Sequence, residues 1–162
     1  MKIIIGVMGP GDKATATDLD NAFELGKLIA QQGWILLTGG RNVGVMDAAS
    51  QGAKSVDGLT IGILPGKHPQ GISEAVDIAI FTDMGNARNN INVLSSHVVI
   101  ACGMGAGTAS EIALAVKSGK PVILLNNNES SKAFFQQLAP TNVYFVDNVE
   151  NAIATIHTIL YS

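Results

Sequence analysis

The chain has 162 residues, a formal net charge of −3 and 47% hydrophobic residues, a size and composition typical of one compact globular domain. The negative charge offers no basic surface for long nucleic acid, so we expect no such partner. One cysteine and three histidines far apart in the sequence exclude a disulfide framework and a Cys/His metal cluster, and we expect no metal site.

Targeting and membrane segments are not expected either. The apolar run at residues 2–7 is too short for the hydrophobic region of a signal peptide. No later apolar run reaches the ~20 residues that a membrane span requires. We therefore expect a cytoplasmic protein that does not associate with membranes.

Short runs rich in β-branched residues alternate along the chain with longer segments of helical periodicity. The predicted strands are Ile3–Met8, Ile35–Thr38, Thr60–Leu64, Ile78–Thr82, Val98–Ala101, Val122–Leu125 and Val143–Val146. The predicted helices are Thr17–Gln32, Val43–Val56, Asn86–Ser95, Ala106–Ser118, Ser130–Leu138 and Val149–Leu160, whereas Pro65–Val76 joins two strands without a long helix.

This alternation is typical of a parallel sheet, and the nearly continuous apolar content of the strands indicates helices on both faces. We therefore predict an α/β fold. Residues 1–162 are expected to form a single doubly wound, Rossmann-like domain with about seven mostly parallel strands.

Glycines are concentrated after the predicted strands, at the carboxyl edge of the sheet where such folds bind ligands. The richest segment, Gly103–Glu111, contains three alternating glycines at the start of a predicted helix. Backbone N–H groups at a helix start favour anions, so we predict a phosphate site there. The predicted ligand contacts are Gly9, Gly11, Gly39, Gly40, Gly85, Arg88, Gly103, Gly105, Ala106, Gly107 and Thr108. Tight turns without a ligand are the alternative explanation of these glycines.

Familiar motifs do not explain this segment. Gly107-Thr108 lacks the P-loop lysine, and the glycine spacing differs from the dinucleotide fingerprint. Ser110 is not in a G-x-S-x-G turn, which argues against a serine hydrolase.

Three segments, in order, resemble motifs of the LOG or "lysine decarboxylase-like" family. Residues 37–49 are similar to its Y-G-G-G-x-x-G-L-M-G segment, residues 84–89 to its arginine-bearing segment, and residues 105–111 to the end of P-G-G-x-G-T-x-x-E. The resemblance covers Lys2 to about Leu125. Its nearest branch contains the molybdenum cofactor carrier proteins and nucleotide-binding relatives of DNA processing protein A.

The resemblance implies two main functions. In LOG phosphoribohydrolases, the motif arginine and glutamate serve cleavage of the N-glycosidic bond of a nucleoside 5′-monophosphate, and Arg88 and Glu111 inherit these catalytic roles. Gly103 and Met104 replace the first two residues of P-G-G, which favours binding of a nucleotide-like or molybdopterin-type ligand, as in a carrier, over hydrolysis. A sensor or assembly module is a third interpretation. No cofactor is required, and no pyridoxal-phosphate lysine motif supports decarboxylation.

Several residues have alternative interpretations. Thr108 and Glu111 match a capping box, which competes with a catalytic role for Glu111. Arg88 has no acidic partner at helical spacing, so we expect it to contact the ligand. Cys102 is expected to be buried as a small apolar residue, and His97 is expected to have a structural rather than a catalytic role.

Other assignments remain open at this point. Lys13 and Arg41 are either anion contacts or solvated surface residues, and the run Asn126–Asn128 is a polar turn at the ligand edge, a subunit contact or a helix start. A homodimer or larger homo-oligomer is expected through residues 86–95 and 106–118.

Overall fold

The structure of the protein is a computed structural model, which describes residues 1–125 and 127–162. Its strands are β1 (Ile4–Met8), β2 (Ile35–Thr38), β3 (Thr60–Leu64), β4 (Ile78–Phe81), β5 (Val98–Cys102), β6 (Val122–Leu125) and β7 (Val143–Val146). Its helices are α1 (Ala16–Gln31), α2 (Gly44–Lys54), α3 (Asn89–Ser95), α4 (Ala106–Lys117), α5 (Glu129–Leu138) and α6 (Val149–Tyr161). A 3₁₀ helix, Gly85–Arg88, precedes α3.

The seven strands form one sheet in the order β4-β3-β2-β1-β5-β6-β7, and every strand pair is parallel. The predicted α/β fold is confirmed, and the sheet is entirely rather than mostly parallel. The chain adds strands on one side of β1 as far as β4 and then crosses to β5 on the other side of β1. The carboxyl ends of β1 and β5 therefore flank the point where strand order reverses, which is where open parallel sheets bind ligands.

Two hydrophobic clusters cover the two faces of the sheet. One joins α1, α2 and α6 to inward residues such as Val98 and Ile100. The other joins α3, α4 and α5 to the alternate strand residues, such as Val99 and Ala101. Successive side chains of a strand point to opposite faces, so a strand buried on both sides must be apolar throughout, as β5 is.

Element boundaries differ from prediction mainly in two places. The helix predicted at Asn86–Ser95 is divided into the 3₁₀ turn and the shorter α3, and β4 ends at Phe81 instead of Thr82. Pro65–Val76 contains no helix, as predicted.

Of the predicted asparagine run, Asn126 lies outside the described residues. Asn128 is the N-cap of α5, because its side chain accepts a hydrogen bond from Ser131 N at 2.9 Å. The helix-start interpretation therefore holds for Asn128. Across the residues described, no helix is both long and apolar enough to cross a membrane.

Candidate functional site

A cleft of about 380 Å³ lies at the carboxyl edge of the sheet, beside the ends of β1 and β5. It is bounded by the loops after β1, β2 and β5 and by the 3₁₀ turn before α3. Its lining comprises Met8, Gly9, Pro10, Gly11, Asp12, Lys13, Gly39, Arg41, Met46, Asn86, Arg88, Asn89, Gly105, Ala106, Gly107, Thr108 and Glu111. The cleft thus coincides with the switch point of the sheet.

The N-terminus of α4 forms one wall of this cleft. Gly105 is the N-cap and provides no side-chain hydrogen bond, so the first-turn N–H groups have no capping acceptor. Thr108 Oγ1 is buried and makes no hydrogen bond with any described residue. Such a helix start, with a positive dipole end and available donors, suits an anion.

The predicted capping box at this helix is wrong. Helix α4 begins at Ala106, so Thr108 is its third residue and not its N-cap. Glu111 accepts a hydrogen bond from Asn92 Nδ2 at 3.0 Å instead of reaching back to the helix start. Thr15 and Asp18 form a capping box at α1, where both reciprocal bonds are present.

Arg88 ends the 3₁₀ turn and carries its guanidinium into the cleft, where only 8% of the residue is exposed. Nη1 donates to Asn89 Oδ1 at 2.6 Å, whereas Nε is buried and makes no hydrogen bond within the described chain. Desolvation lowers the pKa of Arg88, whereas the charge of Glu111 raises it and the charge of Arg41 lowers it. The group remains a cation at neutral pH, with hydrogen-bond donors available to a ligand.

Gly39 makes room for this guanidinium. A Cβ at Gly39 would lie 2.8 Å from Arg88 Nη2 and 2.6 Å from Met46 Sδ, closer than Cβ contacts normally approach. The glycine after β2 therefore allows Arg88 and Met46 to pack against the backbone.

Glu111 is the buried carboxylate of the cleft lining and is only 7% exposed. Burial raises its pKa, whereas the hydrogen bond from Asn92 and the charge of Arg88 lower it. The net effect is a raised pKa, so this carboxyl group takes up a proton more readily than an exposed one does.

The remaining lining divides into a charged part and an apolar part. Lys13 and Arg41 are exposed at the cleft and add positive charge, whereas Asp12 adds one negative charge. The apolar part of the lining consists of the half-buried Met46 and the largely buried Met8 and Pro10, and such surface suits a flat ring system. The cleft can therefore hold a ligand that combines an anion with a ring.

Three predicted contacts lie outside the lining. Gly40 is buried against Gly62, Gly85 has open space around it, and Gly103 has φ +78°. A Cβ at Gly103 would approach the Asp18 carboxylate to 2.7 Å. Gly103 thus shapes the loop between β5 and α4.

Comparison with known proteins identifies the family. The model of the SLOG cluster4 family matches residues 2–153. The chain belongs to this family.

Two solved structures and one further protein are similar to most of this chain. The molybdenum cofactor binding protein of Rippkaea orientalis is 62% identical with a TM-score of 0.97, covering 99% of this chain and 98% of that one. The Moco carrier protein of Chlamydomonas reinhardtii is 53% identical with a TM-score of 0.94, at 99% and 98% coverage. A cytokinin riboside 5′-monophosphate phosphoribohydrolase of Mycobacterium tuberculosis is 27% identical over 155 residues, at 83% of each chain. The predicted relationship to the LOG superfamily and its carrier branch is confirmed.

In this SLOG cluster4 domain, sequence reasoning missed part of the cleft. Met8, Met46 and Asn89 were not singled out, because an apolar residue or an asparagine in a predicted element gives no sign that it faces a ligand. The signals that the sequence offers are weak: Met8 ends a predicted strand, and Met46 and Asn89 fall within the segments that resemble the LOG motifs.

The two structural assignments are confirmed. Cys102 is fully buried, its thiol donates to the carbonyl of Asp18 at 3.3 Å, and desolvation, followed by the charge of Asp18, raises its pKa to about 12. His97 Nδ1 accepts from Ile4 N at 3.1 Å, at the opposite end of β5 from the cleft.

Proposed function

We propose that this protein binds a phosphorylated, ring-containing small molecule at the switch-point cleft and serves as a carrier of molybdenum cofactor. In this proposal the phosphate lies at the N-terminus of α4 and contacts Arg88. The ring system lies against the apolar wall formed by Met8, Pro10 and Met46.

The main support is a pair of buried polar groups without partners. Arg88 Nε and Thr108 Oγ1 both belong to residues of the cleft lining, and neither makes a hydrogen bond with the described chain. Leaving a buried donor unpaired costs about 1–3 kcal/mol, so two such groups in one cleft are explained by a ligand that accepts from them. A phosphate has the charge and the acceptor oxygens for this purpose.

The identity of the cargo is inferred from the relatives. Two solved structures with more than half of their residues identical to this chain are described as molybdenum cofactor binding or carrier proteins. Molybdenum cofactor is a phosphorylated pterin, so it combines the anion and the ring that the cleft suits. The metal would arrive as part of the cargo, and no protein metal ligand is needed.

The proposal is tested by loading the protein in cells. The wild type and Arg88→Ala would be expressed in a host that makes molybdenum cofactor and purified without oxygen. Released pterin would then be oxidised and measured by fluorescence per mole of protein. We expect pterin with the wild type and at least a tenfold loss in the variant. Absence of pterin from the wild type, or equal amounts in both proteins, would contradict the proposal.

A second candidate is hydrolysis of a nucleoside 5′-monophosphate. The observation that favours it is that Arg88 and Glu111 line the same cleft and interact electrostatically. A carboxylate there can stabilise an oxocarbenium-like ribose or position water, while the guanidinium holds the phosphorylated sugar.

Incubation with AMP distinguishes this candidate. Free adenine and ribose 5-phosphate would be followed by chromatography, with Glu111→Ala as the matched control. Release that disappears in the variant would establish a phosphoribohydrolase. Intact AMP after long incubation favours the carrier.

We also propose that the protein forms a homo-oligomer through the 3₁₀ turn, α3 and α4. Met84 and Leu94 are about half exposed, at 49% and 52%, and Met84 borders a groove that also contains Ala113 and Leu114. Sedimentation equilibrium tests this expectation, and a concentration-independent monomer mass would contradict it.

A further inference from the structure

Asn89 connects Arg88 to the first turns of α4. Its Oδ1 accepts from Arg88 Nη1 at 2.6 Å, and its Nδ2 donates to Ser110 Oγ at 3.0 Å. Ser110 Oγ in turn donates to the carbonyl of Gly107 at 2.7 Å. The chain of bonds therefore runs from the guanidinium to the helix turn that lines the cleft.

The direction of every bond in this chain is determined by chemistry. A guanidinium can only donate, so the asparagine atom facing it must be the carbonyl oxygen. A peptide carbonyl can only accept, so Ser110 must give its proton to Gly107 and can only accept from Asn89. Asparagine, which presents an acceptor on one side and a donor on the other, satisfies both neighbours.

We propose that Asn89 is a positioning residue that fixes the Arg88 guanidinium in the cleft while leaving its positive charge available to an anionic ligand. This inference rests on the binding function proposed above. Asn89 is 6% exposed, so little water competes for its bonds.

The neutrality of the amide is the reason that asparagine fits this role. An aspartate has the same shape and would also hold Arg88, but it would neutralise the guanidinium and would draw the Ser110 proton away from Gly107. Alanine would remove the bond to Arg88 and leave the guanidinium free to move. The two substitutions therefore separate the loss of charge from the loss of position.

The first test does not depend on any ligand. The titration of the Glu111 carboxyl would be followed by ¹³C NMR in the wild type, Asn89→Ala and Arg88→Ala. Because the charge of Arg88 lowers the pKa of Glu111, displacement of the guanidinium in Asn89→Ala should raise that pKa, in the same direction as Arg88→Ala does. An unchanged Glu111 titration in Asn89→Ala overturns the inference.

The second test measures affinity for AMP by calorimetry. We expect Asn89→Asp to bind at least tenfold more weakly than the wild type with a similar melting temperature. Asn151→Ala, at an exposed asparagine of α6 outside the cleft lining, is the matched control and should bind as the wild type does. Equal affinity of Asn89→Asp and the wild type overturns the inference.

The two tests separate this inference from the proposed function. A wild type that does not bind AMP counts against the binding function for nucleotides, and the Glu111 titration still decides whether Asn89 positions Arg88. If the Glu111 titration changes in Asn89→Ala but Asn89→Asp binds AMP with wild-type affinity, the claim that the uncharged amide of Asn89 is required is overturned.

Discussion

Gly103 is predicted to be required by the fold, although it does not line the cleft. Its φ of +78° places it in the left-handed region, where a residue with a side chain destabilises the folded protein by about 1–2 kcal/mol. A Cβ would also lie 2.7 Å from Cγ and Oδ1 of Asp18. The Asp18 side chain is held in the capping box of α1, so moving it would weaken a cap worth about 1 kcal/mol.

These two effects together predict that Gly103→Ala destabilises the protein by about 2–3 kcal/mol. For a domain of this size, 1 kcal/mol corresponds to roughly 2–4 °C, so the melting temperature should fall by about 4–12 °C. Thermal unfolding followed by circular dichroism measures the change.

Gly33→Ala is the matched control for the backbone effect. Gly33 has φ +74°, and nothing lies within 4 Å of the position that a Cβ would take there, so only the conformational penalty applies. Gly103→Ala should therefore be the more damaging substitution by about 1 kcal/mol. In an Asp18→Ala background this difference should disappear. A loss in Gly103→Ala no greater than that in Gly33→Ala would refute the reasoning.

Three further predictions concern the cleft and its surroundings. Arg88→Ala should weaken AMP binding at least tenfold, as measured by calorimetry. The melting temperature should change by less than ~4 °C, because the loss of one hydrogen bond of about 1 kcal/mol is offset by the removal of a buried charge. A large loss of stability with unchanged binding would contradict this prediction. Glu111→Gln should stabilise the protein at neutral pH and lose this advantage as the pH falls toward 4.5. Because the pKa of Glu111 is raised in the folded protein, the stability of the wild type falls as the pH rises from the unfolded pKa through the folded pKa. Parallel pH profiles of the two melting temperatures would refute this prediction. Cys102 should resist iodoacetamide at pH 8 in the native protein, because it is fully buried and its pKa is about 12. In denaturant it should react within minutes, and mass spectrometry measures both reactions. Rapid alkylation of the native protein would contradict the burial of Cys102.

The architecture could be predicted from the sequence because alternation of strands and helices determines a parallel sheet. The apolar β5, for example, can be stable only when helices cover both of its faces. The shape of the segment before α3 could not be predicted in the same way. No local feature of residues 86–95 distinguishes the 3₁₀ turn Gly85–Arg88 from the α-helix that follows it, and 3₁₀ turns are frequent at helix ends.

The site was predictable in outline because glycines after strands indicate the carboxyl edge. Its details depend on contacts between distant residues. Thr108 and Glu111 match a capping signature, but Gly105 takes the N-cap position and Asn92 engages the glutamate. Asn89 and Ser110 are 21 residues apart, and nothing in the local sequence of either residue indicates the other.

The most direct test of the proposed binding site is an NMR titration of the ¹⁵N-labelled protein with GMP. Guanine shares a 2-amino-4-oxopyrimidine ring with pterins, and the nucleotide supplies a phosphate. We predict that the amide resonances of Ala106, Gly107 and Thr108 shift most strongly and saturably, while the GMP signals remain intact for hours. Unchanged resonances for these three amides at millimolar GMP would contradict the proposed phosphate site, and release of free guanine would contradict a carrier that does not cleave its ligand.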